Sequence, residues 1–152
     1  MKHHFILDEN VIAQTKTRTL AIQTLELFKL IKANCHQVVL DTTLSIKLHS
    51  WLTRRDAQFG NFFPTGPTFV RSVLTDTNKR QWVDTQPAST ERGLVHHTND
   101  WYIVDLAVSC KNVHFVSTSD NTTRKNFNCL EFKALGIDGI TVKQAIKLAQ
   151  DH

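Results

Sequence analysis

Three aspartates stand where this sequence could do chemistry. Asp8 directly follows the apolar stretch Phe5-Ile6-Leu7, Asp100 opens an apolar helical stretch, and Asp120 ends the strand-like run that begins at Val113. In an open α/β sheet, functional groups collect where strands end and helices begin. Carboxylates gathered in one place repel one another, so keeping them ionised together takes a cation. Hard divalent ions such as Mg²⁺ or Mn²⁺ accept oxygen ligands and keep waters in their remaining positions. Such an ion polarises a phosphoryl oxygen and lowers the pKa of a water, which is what phosphodiester hydrolysis needs. Asp8, Asp100 and Asp120 are therefore the expected metal ligands and catalytic groups. Taken singly, each also suits a helix cap or a turn. Their combination is what points to a metal site.

The elements that must position these acids alternate. His4–Leu7 is a short apolar run suited to a buried parallel strand. Leu20, Leu25, Phe28 and Ile31 then recur at near-helical spacing through about Ala33. Val38-Val39-Leu40 predicts a second strand, and Asp41, Thr42 or Thr43 caps a helix with Leu44, Leu48, Trp51 and Leu52 on one face. After residue 92 the alternation resumes. Thr98 or Asn99 is placed to cap a helix from Asp100 to about Cys110, and Val113–Ser117 predicts a strand. Asn121–Leu135 reads as a helix closed by Gly136, and Ile137–Ile140 as a short edge strand. Thr141 with Gln144 matches a capping box for a last helix. The expected fold is a single α/β domain over 1–152, with a central parallel sheet flanked by helices.

Residues 53–92 interrupt the pattern. All three prolines, two of the five glycines and four of the nine phenylalanines fall there, so the segment reads as an insertion. A short helix or a hairpin is expected near Thr68–Asp84, because a structureless loop of that length is unusual in a compact domain.

Composition adds bounds. The 152 residues carry eighteen Lys and Arg against fourteen Asp and Glu, a net charge of +4 that tolerates a polyanionic partner without requiring one. Cys35, Cys110 and Cys129 lack CxxC spacing and read as small core residues of a reducing compartment. No run approaches the ~18 apolar residues of a membrane span. The chain also enters its first strand almost at once, so a cytoplasmic protein without a signal peptide or membrane partner is expected.

The ordered blocks resemble the PIN domain nucleases, a family that includes VapC-like toxin ribonucleases. The stretch Phe5-Ile6-Leu7-Asp8-Glu9-Asn10-Val11-Ile12 is similar to a first strand ending in Asp, with Asn two residues later. Asp100-Trp101-Tyr102-Ile103-Val104-Asp105-Leu106-Ala107 looks like the helix that opens with Asp, and His114-Phe115-Val116-Ser117-Thr118-Ser119-Asp120 like the strand ending in Thr-any-Asp. The likeness covers nearly the whole chain outside 53–92. It implies an Mg²⁺- or Mn²⁺-dependent endoribonuclease, with Asn10 and Thr118 positioning water and phosphate. It also implies toxin behaviour, with a protein antitoxin and a homodimer as partners. One position departs from the family. The helix after the second strand, which commonly carries Glu, has no acid over Thr42–Trp51, and Lys47 falls nearest that place. Lys47 then acts as an internal cation against the acids, or Glu9 or Asp41 supplies the missing carboxylate. Asp105, about 140° round the helix from Asp100, is not expected in the ligand shell.

Other readings follow from the same residues. Lys47 and the insertion motivate a catalytically impaired PIN-like module that binds RNA or a protein without cutting. Trp82, Phe62, Phe63 and Phe69 beside Arg54, Arg55 and Arg71 suit clamping of a single RNA strand, or packing of the insertion on the body or a dimer partner. His96-His97 suggests zinc only weakly, because adjacent side chains diverge. Thr118 and Ser119 are better placed to orient Asp120 than to act as nucleophiles. An aspartyl phosphatase would want Asp at position 10, which is Asn, and a receiver domain would want paired early acids together with a late strand-end Lys. Neither pattern is matched convincingly.

Overall fold

A computed structural model of the chain describes residues 1–54 and 57–151. Strand β1 (His4–Leu7) leads into a one-turn helix α1 (Asn10–Ala13) and the long α2 (Arg18–Ala33), which returns to β2 (Gln37–Leu40). The crossover out of β2 contains α3 (Thr42–Thr53), α4 (Gln58–Phe62) and α5 (Gly66–Thr75), and ends in β3 (Arg80–Trp82). Two single 3₁₀ turns, Glu91–Leu94 and Thr98–Asp100, precede α6 (Trp101–Cys110) and β4 (Val113–Ser117). Then come α7 (Thr122–Asn126), α8 (Leu130–Lys133), β5 (Ile137–Thr141) and α9 (Val142–Ala149).

The strands form one all-parallel sheet in the order β3-β2-β1-β4-β5. In β1 the consecutive residues Phe5, Ile6 and Leu7 are all fully buried. Because successive strand side chains face opposite ways, both faces of the sheet must be covered. Helix α2 packs against α9 and α5, while α6 packs against α3. The buried apolar residues of every strand but β3 join one contiguous core. Among the described residues, no helix is long and apolar enough to cross a membrane.

The α/β fold and its parallel sheet match the reading of the sequence, with five corrections of detail. Segment 53–92 holds the expected short helix, α5, but is more than an insertion: it is the β2–β3 crossover and delivers an edge strand of the sheet, parallel to β2 rather than in a hairpin. Neither Thr98 nor Asn99 caps α6 through its side chain, since a 3₁₀ turn leads into that helix. The stretch expected as one helix from Asn121 to Leu135 is two short helices. Leu20 leaves the core stripe of α2 and is 43% exposed. Cys35 is exposed, and Cys110 and Cys129 are partly buried, so none belongs to the fully buried core.

Two glycines permit close contacts that matter below. Gly136 adopts φ +75° and ends the α8 turn in the left-handed conformation that disfavours a side chain. Gly139 in β5 lies against the backbone of Arg124, where a Cβ would meet the Arg124 carbonyl oxygen within 1.9 Å. Asn128 completes that junction by bonding both the N–H and the C=O of Gly139. The capping box at Thr141 and Gln144 forms as read.

Candidate functional site

Parallel register carries Asp8 to the centre of the sheet's carboxyl edge. Leu7 pairs with Val116, so the next residues, Asp8 and Ser117, become neighbours. Ser117 Oγ donates to Asp8 Oδ2 at 2.7 Å, and the Asp8 N–H donates to the Val116 carbonyl at 2.9 Å. Asp8 is only 5% exposed. Burial pushes its carboxyl pKa up to about 6 against the opposing Ser117 bond, and the charges of Asp100 and Glu9 push the same way.

Asp100 closes the 3₁₀ turn ahead of α6, and Thr123 Oγ1 from α7 donates to its Oδ2 at 2.5 Å. Glu9 is held from the other side, where Trp51 Nε1 of α3 donates to Glu9 Oε2 at 2.9 Å. Burial, and then the charges of Asp8, Glu9, Asp100 and Asp41, drive the Tyr102 phenol far above its ordinary range. Four acids therefore project negative potential onto one ring. Asp41 has its oxygens committed elsewhere: Oδ1 accepts from the Leu44 N–H, capping α3, and Oδ2 accepts from Thr85.

Lys47 reaches the same ring but not the acids. Its ammonium lies 5.1 Å from the Tyr102 centroid, a cation–π contact. The expectation of an internal cation set against the carboxylates is replaced by a lysine parked on the Tyr102 ring. Asp105 is spoken for, as its spacing suggested: Arg92 clamps it through Nε at 2.9 Å and Nη2 at 2.6 Å, and the Ala88 N–H adds a third bond.

Asp120 occupies a different setting. It lies in the exposed turn after β4, where the Thr118 hydroxyl, its own N–H and the charges of Lys125 and Lys16 hold its carboxyl below the usual range. The turn itself is fixed by Arg124, which donates to the carbonyls of Thr118 at 3.1 Å and Ser119 at 2.8 Å. Asp120, Asn10 and Thr118 line a cleft of about 600 Å³ together with Lys16, Leu20 and Lys143. The cleft sits where the topology reverses. The chain runs outward from β1 to β2 and β3, then jumps back to β4 beside β1 and on to β5. Such a switch point, at the carboxyl ends of the strands, is where open α/β sheets bind ligands.

The structure thus separates the acids expected to act as one set. Buried Asp8 with half-buried Asp100 and Glu9 forms one negative centre, and Asp120 faces the adjoining cleft beyond Ser117. Among the described residues, no three His, Cys, Asp or Glu side chains stand close enough together to grip one metal ion. The pair nevertheless fits a hard divalent ion by its donor chemistry. Mg²⁺ takes one or two carboxylates and completes its shell with water and phosphate oxygens. Burial and the Asp100 charge make ionised Asp8 costly, a cost that a bound cation would reduce.

Ser117, Thr123 and Tyr102 were not legible as site residues, because a hydroxyl or phenol acquires its role only from what the fold sets beside it. Of the proposed RNA clamp, Arg55 lies outside the described residues. Phe62, Phe63 and Phe69 pack against the core, with Arg18 over Phe63 and Lys32 over Phe69. Trp82 is 50% exposed beneath Arg80. His96 contacts Asn126. Comparison of the chain with protein-family models, curated proteins and solved structures returned no match.

Proposed function

We propose that this chain is an Mg²⁺- or Mn²⁺-dependent endoribonuclease of PIN-like type. The observation that supports it is the pairing of Asp8 and Asp100 at the carboxyl edge of the sheet, each held by a hydroxyl donor, with burial first and the Asp100 charge second raising the Asp8 pKa to about 6. Asp8 and Asp100 would hold the ion, which supplies positive charge for the phosphoryl oxygens and activates water for attack. Ser117 and Thr123 orient the two carboxylates. Asn10 and Thr118, on the cleft side, position water and phosphate. Asp120 takes part from the cleft rather than from the Asp8–Asp100 centre. A protein antitoxin and a second copy of the chain are the partners that this reading carries.

The test is cleavage of a labelled single-stranded RNA with Mn²⁺, Mg²⁺ or EDTA, comparing the wild type with Asp8→Asn and Asp100→Asn. Metal-stimulated cleavage that both variants lose supports the proposal, and equal cleavage by all three proteins sinks it.

Lys47 over Tyr102, together with the absence among the described residues of three acids grouped to hold one metal ion, favours a second reading: a PIN-like module that binds RNA or a protein partner without cutting. RNA retained by the wild type with no metal-stimulated cleavage selects this alternative.

A further inference from the structure

The switch-point cleft is built differently from the Asp8–Asp100 centre beside it. One carboxylate, Asp120, stands in it, kept ionised by the Thr118 hydroxyl and its own N–H and then by the charges of Lys125 and Lys16. Leu20, an apolar residue of α2 left 43% exposed, offers a wall against which a planar ring can lie. Lys143 of α9 lines it as well. The volume, about 600 Å³, is within the range of roughly 300–1,000 Å³ typical of small-molecule sites.

Those features select among ligands. An ionised carboxylate only accepts hydrogen bonds, so it is matched by two adjacent donors on one edge. Guanine presents a ring N–H and an amino group side by side. Adenine and cytosine place a ring acceptor next to their amino group, and uracil flanks its single N–H with two carbonyls. Each of those three sets a lone pair against the carboxylate. Single-stranded RNA is read through such splayed-out edges. The two lysines of the lining suit the phosphates on either side of the base.

We propose that Asp120 reads a guanine base in this cleft, so that the chain selects RNA at a guanosine. Lys16 and Lys143 hold the flanking phosphates, and Leu20 supports the ring. The inference rests on RNA being the ligand, and it assigns Asp120 to recognition instead of metal binding.

The experiment measures binding of GMP, AMP, CMP and UMP to the intact chain in EDTA, by NMR titration or calorimetry, so that binding is separated from cutting. GMP should bind about tenfold more tightly than the other three. Asp120→Asn, a substitution at an exposed position, should level that preference, whereas Lys16→Ala should weaken all four alike. Equal binding of the four nucleotides, binding of none, or a guanine preference that survives Asp120→Asn would overturn the proposal. RNA cleavage without base preference defeats only this inference. Guanine-selective binding without metal-stimulated cleavage defeats only the nuclease reading.

Discussion

Ser117 and Asp8, 109 residues apart in sequence, share a 2.7 Å hydrogen bond inside the sheet edge. The bond ties the last residue of β4 to the first residue beyond β1 and stabilises Asp8 in its ionised form. Removing the donor by Ser117→Ala should raise the Asp8 pKa further above about 6. A hydrogen bond to a charged group contributes about 1.5–3 kcal/mol, equivalent to roughly one to two pKa units. The pH at which Mn²⁺ binding reaches half its maximum should move upward by about one unit, as followed by calorimetry across a pH series.

Asp8 also sets a pH dependence of stability. Its folded pKa of about 6 lies above the ordinary 3.8, so the folded state binds this proton more tightly than the unfolded chain does. The stability it contributes is complete below 3.8 and is lost as the pH rises through about 6. The loss across that window is on the order of 3 kcal/mol. Asp8→Asn should flatten the window and stabilise the metal-free protein at neutral pH relative to the wild type. Denaturant unfolding at several pH values measures this, and an unchanged slope would remove the argument.

Lys47 lies over Tyr102, the ring toward which Asp8, Glu9, Asp100 and Asp41 direct their charge. Replacing the cation by an acid, Lys47→Glu, should increase affinity for Mn²⁺ by on the order of tenfold, since the local charge becomes more negative by two units. Lys47→Met should give a smaller gain. Calorimetric titration of the three proteins with Mn²⁺ checks the order, and a drop in affinity for Lys47→Glu would contradict it.

Gly139 marks where α7 must approach β5. Gly139→Ala would place a methyl group into the Arg124 carbonyl. Part of the strain should be relieved by moving α7, which carries Thr123 and the Arg124 side chain that braces the Thr118–Ser119 turn. A loss of about 3 kcal/mol in stability is expected from such overpacking. Metal affinity should fall as well, because the Asp100–Thr123 bond is carried on the same helix. Chemical denaturation and Mn²⁺ titration of the variant test both effects.

Much of this architecture was legible locally. The runs Phe5-Ile6-Leu7 and Val38-Val39-Leu40 are buried on both faces, so their apolarity needs no partner to be recognised. The Thr141–Gln144 capping box and the turn at Gly136 are likewise written within a few residues. Strand β3 was missed because Arg80, Gln81 and Trp82 form an edge, bonded to one neighbour and without an apolar run. Leu20 fits the helical period of α2, yet the period says nothing about a cleft opening beside the helix.

The sequence by itself determined where strands end and helices begin, and therefore that Asp8, Asp100 and Asp120 stand at element boundaries. Those boundaries come from short-range burial patterns, caps and turns. Only the tertiary structure decided which of these acids share a site. That depends on strand order and on the β1–β4 register, which set Asp8 against Ser117. It depends too on the packing of α7, which sets Asp100 against Thr123 and leaves Asp120 facing the cleft. Strand order is a property of crossovers between distant segments, and a residue's own neighbours in the chain carry no record of it.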